Sequence, residues 1–246
     1  MNAALAVAIG AVALLYAAVG HAGATGYIAV MTLFGIGPGV IRPTALVLNV
    51  LVASIASVQF FRAGQFRSGL FWPLAAASVP CALLGGMLLL PTGAFEKLVG
   101  AVLLVSAIRL LYDAWPKRNS KDVTPTSPPA PPLLAAIGAG IGLLSGLTGV
   151  GGGVFLTPIL LALRAAPVKE VAAITAPFIL VNSLAGLAGG LAAGRAVPPI
   201  SLPVIAAAIL GGAIGSHLGA YHLPVRGMQL LMAAVLTIAS VKLFGP

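Results

Sequence analysis

The sequence predicts an all-α, polytopic membrane protein, and three observations carry that prediction. Of 246 residues, 60% are hydrophobic and 7% charged, with a mean hydropathy of +1.12. A soluble domain is about 45–50% apolar and about 25% charged. The acidic residues number four (Glu96, Asp113, Asp122 and Glu170), too few to solvate a chain of this size but ample for one bathed in lipid. Finally, the apolar residues fall into about eight runs near the ~20 residues that a helix needs to cross a bilayer. The 31 Gly and 19 Pro indicate neither collagen nor disorder. No Gly-X-Y period exists, and the hydrophobicity is too high.

The first run covers about 3–35. Its start, MNAALAVAIGAVALLY, lacks the basic stretch of a cleaved signal peptide and reads as a retained span. It is too long for one simple crossing and is interrupted by glycines in GHAGATG, residues 20–26. The next three, about 43–61, 69–90 and 95–114, suit single crossings. Then comes PKRNSKDVTPTSPPAPP, residues 116–132, with six prolines and almost nothing apolar. It reads as a solvated, extended linker. The fifth run, about 133–163, repeats the anomaly of the first, being overlong and broken at GVGGGV, residues 149–154. The last three, about 171–193, 200–220 and 227–245, are again of single-crossing length.

The linker divides the chain into a first half, 1–115, and a second, 133–246. Gly20 and Gly23 match Gly149 and Gly152 at an offset of 129, and Asn49 matches Asn182 at 133. Gly64, Pro73 and Gly85 match Gly194, Pro203 and Gly215 at 130. Anchors in one order at near-constant spacing predict an internal duplication, each half beginning with a glycine-broken helix. Two topologies satisfy it. If each broken run crosses once, the halves are parallel, with eight basic residues on one side and five on the other. If each dips in and returns, the halves are inverted, and the linker's side holds nine against four. Both place the linker in the cytoplasm.

The formal net charge of +9 does not indicate nucleic-acid binding, because the 13 Lys and Arg are scattered singly between apolar runs. The single cysteine, Cys81, lies in an apolar run, so neither an intramolecular disulfide nor metal-ligand spacing is available, and no cofactor is expected.

The two glycine breaks are the most informative feature. In lipid an unwound backbone is tolerated only inside protein or along a wet cavity. Discontinuous helices in corresponding positions of two halves point to a transporter's binding site. The apolar stretches after the breaks, YIAVMTLFGIG and VFLTPILLAL, are each about half a membrane long. Such half-helices aim free N–H groups and a positive dipole end at a ligand, which suits a small anion. Close helix packing is the competing use of glycine in membranes.

GLLSGLTGVGGGVFLTPILLAL, residues 142–163, resembles the second glycine motif of the sulfite exporter TauE/SafE family. The first copy departs from the family's run of three glycines, with Gly23-Ala24-Thr25-Gly26 preceded by His21. The resemblance covers the whole chain: two halves, eight segments and the polar linker. It implies transport of a small sulfur-containing or organic anion, such as sulfite or sulfoacetate, across a bacterial inner membrane. The partners implied are that anion and membrane lipid, and a homo-oligomer is compatible with the sequence.

The expected substrate-binding set joins the break residues His21, Gly23, Thr25, Thr148, Gly149, Gly151, Gly152 and Gly153 to Asn49 and Asn182, mid-span amides read as repeat equivalents. The competing role for an amide is an interhelical hydrogen bond worth about 0.6 kcal/mol. Thr25, Thr148 and Ser145 are expected either to donate to an oxyanion or to bond back to a helical carbonyl. Arg42, Arg62, Arg67, Arg164, Arg195 and Arg226 fall at segment ends and are expected to snorkel to the headgroups, with Arg42 and Arg62 also able to draw anions to a vestibule. No expected span contains a mid-membrane carboxylate, which leaves His21, a substrate-borne proton or uniport for coupling. An intramembrane enzyme would need a nucleophile–base pair or a metal cluster, and neither His-Glu-x-x-His nor Gly-x-Ser-x-Gly occurs. The expectation is therefore a secondary transporter exporting an anion by alternating access, with an anion channel as the alternative.

Overall fold

The structure, a computed structural model, describes residues 3–88 and 129–224, with single positions beyond them (104, 108, 227, 230, 231, 233, 234 and 237). Most of the expected fourth and eighth runs, most of the linker and the carboxylates Glu96, Asp113 and Asp122 lie outside the described residues. Among the described residues every regular element is helical. In chain order these are α1 (Ala3–Ala17), α2 (Ala24–Leu33), α3 (Pro38–Arg62), α4 (Ser68–Met87), α5 (Pro131–Thr148), α6 (Gly153–Ala162), α7 (Val168–Ala192) and α8 (Leu202–His217). A π-helical turn, Leu218–His222, extends α8.

Helices α3, α4, α5, α7 and the extended α8 are long and apolar enough to cross a membrane. Large apolar side chains such as Val7, Leu33, Trp72, Leu202 and Leu210 face outward. Such exposure suits lipid, where apolar side chains need no cover. Proline at the first turn starts α3, α5 and α8, where its missing N–H costs nothing. The start of α3 at Pro38, ahead of the expected 43, puts Arg42 one turn inside the helix.

Both overlong runs are broken where expected. Residues 18–23 separate α1 from α2, and 149–152 separate α5 from α6. Each second piece turns back. Gly26 of α2 lies against Val12 and Tyr16 of α1, while Met31 and Ile36 share a small recess with Leu5 and Ile9 near the start of α1. Helix α6 runs against α7, with Gly153 beside Ile179 and Thr157 bonded to Thr175. At about 1.5 Å per residue, the ten residues of α2 and of α6 each cover about 15 Å, half a membrane.

Pairings of residues give the helix directions. Gly10, Gly215 and Gly219 sit on Ala207, Leu14 and Ala18, so α1 and α8 run the same way. Gly138, Gly142 and Gly146 sit on Leu74, Ser78 and Ala82, so α4 and α5 also run together. Helix α7 joins that second group, since Asn182 bonds Ser78 and Gly189 meets Leu83 and Gly86. Helix α3 follows α8, through Val52 against Gly212 and Gln59 bonded to the Ala213 carbonyl. Helices α3 and α7 oppose each other, with Asn49 level with Ser183 and Leu46 with Gly186. Hence α1, α3 and α8 point one way, and α4, α5 and α7 the other. The helices cross between halves, α1 packing on α8 and α5 on α4. A Cβ at Gly146 would collide with the Ala82 carbonyl, so the glycines of these seams set how closely the backbones approach.

Candidate functional site

The two hairpins enter from opposite faces and overlap in the middle. The first turn-back, residues 18–24, is buried throughout, as are residues 151–158. Gly23 (φ +106°) and Gly152 (φ +82°) cap α2 and α6 in left-handed conformations that disfavour a side chain. Neither offers a capping side chain, so the first-turn N–H groups of both half-helices receive no side-chain oxygen.

His21 joins the hairpins. Its Nε2 lies 3.1 Å from the Gly153 carbonyl oxygen and 2.9 Å from Thr157 Oγ1. A carbonyl only accepts, so Nε2 carries the proton. Thr157 in turn is 3.1 Å from Thr175 Oγ1 of α7. The other ring nitrogen, Nδ1, is buried and unpartnered. Asn49 brings α3 to the second break, its Nδ2 donating to the Val150 carbonyl (3.3 Å) and Ser183 Oγ (3.4 Å). A Cβ on Gly151 would lie 2.6 Å from that Nδ2. Asn49 Oδ1 and Ser145 Oγ, the latter beside Gly152, are buried without partners. The centre thus combines two uncapped helix starts with polar atoms left unsatisfied, which a buried site tolerates when a ligand or water completes it.

Not every expected residue gathers here. Asn182 turns away, donating to Ser78 Oγ (3.1 Å) and to the Phe178 carbonyl of its own helix (2.8 Å). Helices α3 and α7 have matching bounds 130 residues apart, so Asn49 corresponds to Ile179, one turn from Asn182. At that offset the two amides occupy different positions, and their surroundings differ accordingly. Thr25 donates to Tyr16 OH (3.0 Å), and Thr148 bonds back to the Leu144 carbonyl (2.7 Å) while accepting from Val150 N (3.4 Å). Gly149, expected as a ligand contact, instead packs on the aliphatic stem of Arg42.

A family model described as "Sulfite exporter TauE/SafE" matches residues 4–243. The chain belongs to the sulfite exporter TauE/SafE family. It is also 41% identical over 241 residues to "Probable membrane transporter protein y4hK" of Sinorhizobium fredii, covering 97% of this chain and 96% of the relative. No solved structure matches. A TauE/SafE member with these helices is a multi-pass protein of the bacterial inner membrane.

In this TauE/SafE chain, sequence reasoning passed over several polar residues at the centre. Thr157, Thr175 and Ser183 are isolated hydroxyls in apolar runs and carry no local signature. The sequence places Arg42 at a segment end, as a headgroup anchor also able to draw anions to a vestibule. Its Nη2 instead donates inward to the carbonyls of Gly85 (3.3 Å) and Gly146. Its place between Pro38 and a long apolar run is the available signal, since a helix that starts at Pro38 rather than at 43 carries Arg42 within it.

Proposed function

We propose that this chain is a secondary transporter that exports a small anion, such as sulfite, sulfoacetate or a related organosulfur or organic anion, by alternating access around the two hairpin tips. The observation that carries the reading is the junction where His21 of one tip meets Gly153 at the start of the other tip's return helix. Two buried, side-chain-free helix starts supply N–H donors and positive dipole ends where a desolvated anion needs them. His21, Gly23, Asn49 and Gly151–Gly153 form the proposed binding set. Thr25, Thr148, Gly149 and Asn182 support its walls. The family match and the named relative agree with transport.

The halves are proposed to be an inverted duplication. In favour of this, left-handed backbone recurs at Gly20 and Gly149, Gly23 and Gly152, Gly35 and Arg164, and Gly64 and Gly194, and corresponding helices point in opposite directions. The second hairpin starts with α5 on the face that also carries Arg62, Arg67, Arg164 and Lys169, which makes that face, and the 116–132 linker, cytoplasmic. Among the described residues the one carboxylate, Glu170, pairs with Arg67 at 3.0 Å on this face, far from the junction. Alternating access then consists of parting one hairpin tip from the other.

Purified protein in proteoliposomes should show saturable, counterflow-competent flux of one anion from a panel of sulfite, sulfate, thiosulfate, sulfoacetate and small carboxylates. Conductance that does not saturate would make it a channel, and no flux for any of them would remove the anion assignment.

A further inference from the structure

The face opposite the linker holds two guanidinium groups outside the proposed binding set, those of Arg42 and Arg195. Arg195 follows the end of α7, its N–H returning to the Gly190 carbonyl at 3.0 Å. Its side chain folds back, so that a Cβ placed on Gly190 would lie 3.7 Å from Nε. Both terminal nitrogens, Nη1 and Nη2, are buried and have no partner. The antiparallel register that sets Asn49 by Ser183 and Leu46 by Gly186 brings residue 42 level with residue 190. Arg42 is therefore at the same end of the bundle, and the Arg195 charge lies near enough to act on it. Among the described residues the sole carboxylate is Glu170, which pairs with Arg67 at the opposite face.

Two like charges at one end of the bundle repel each other, and an unpaired buried guanidinium loses hydration without compensation. A headgroup anchor would extend its nitrogens outward, but those of Arg195 point into protein. An oxyanion resolves both problems at once. It neutralises the pair and accepts charge-assisted, bidentate hydrogen bonds, for which guanidinium geometry is suited. Arg42 also ties this end of the bundle to the junction, since its stem lies under Gly149 and its Nη2 is bonded beside the second break.

We propose that Arg42 and Arg195 form a second anion-binding site, a vestibule for a soluble oxyanion on the face away from the linker, one step outside the hairpin junction. Its use as a release station rests on the transporter reading, whereas the binding itself does not. An oxyanion there has two sources, a free anion or a lipid phosphate.

The test is calorimetric titration of sulfite and sulfate into purified protein in phosphatidylcholine nanodiscs, in chloride-free buffer. The wild type should bind, and Arg195→Gln should weaken binding at least tenfold. Arg195→Lys, which keeps the charge but loses the fork, should weaken it several-fold, so that a folded variant is available if Arg195→Gln does not insert. Arg62→Gln, on the other face, should bind as the wild type does. No binding by the wild type, equal affinity in the Arg195 variants, or an equal loss in Arg62→Gln would overturn the proposal. So would binding of phosphatidylglycerol nanodisc lipid in place of any soluble anion. Normal anion binding that needs Arg195, in a protein that moves no anion, would keep this site and remove the transporter reading. Transport by the wild type with unchanged affinity in Arg195→Gln would do the reverse.

Discussion

Asn49 and Asn182 look interchangeable in the sequence, two amides in the middle of apolar runs, and the structure gives them different work. Asn49 reaches the unwound backbone of the second break, leaving Oδ1 buried and unpartnered there. Asn182 ties α7 to α4 through Ser78. Asn49→Ala should therefore raise the half-saturating anion concentration about tenfold, about 1.4 kcal/mol. Asn182→Ala should leave it unchanged and cost roughly 0.6 kcal/mol of stability. Concentration dependence of flux, with thermal unfolding of the same samples, separates the two. Equal effects on affinity would return Asn49 to packing duty. The sequence revealed that these amides were special but not which one mattered. Their alignment rested on residue type, and the register belongs to whole helices.

At the scale of elements, glycine has two jobs, and only one was local enough to read. The breaks were legible because each sits inside a run too long to cross once and is followed by half a membrane's worth of apolar residues. The seams were not, since a glycine's use depends on what another helix brings to it. Gly146 of α5 faces the Ala82 carbonyl and Gly86 of α4, while Gly140, two turns earlier on the same helix, has nothing within 4 Å. Gly146→Ala should therefore push α4 and α5 apart and destabilise by about 1–3 kcal/mol. Gly140→Ala should be neutral or slightly stabilising, as alanine favours helix. Thermal unfolding in detergent checks both, and matching behaviour would deny the seam its role.

For the whole molecule, composition alone assigned the class, and charge counting could not decide between parallel and inverted halves. The direction of each helix, set by pairings such as Gly10 with Ala207 and Gly142 with Ser78, is what favours the proposed inverted arrangement. Under the proposed inverted duplication, α1 begins on the face away from the linker. In a Cys81→Ala background, a cysteine at Asn2 should be labelled from the periplasm by a membrane-impermeant maleimide, and one at Ser120 only after the membrane is opened. Labelling of both from one side would contradict the inverted arrangement.

The central claim is that the anion passes where the two hairpin tips meet, and the backbone at Gly152 tests it most directly. Its φ of +82° and its close approach to Ile141 and Phe178 leave no room for a side chain, yet the residue lies off the helix seams that hold the bundle together. The measurement is counterflow of radiolabelled sulfite in proteoliposomes, comparing wild type with Gly152→Leu at matched, verified insertion. The account predicts saturable counterflow for the wild type and at least a hundredfold loss for the variant. Normal counterflow through an inserted Gly152→Leu protein would place the pathway elsewhere.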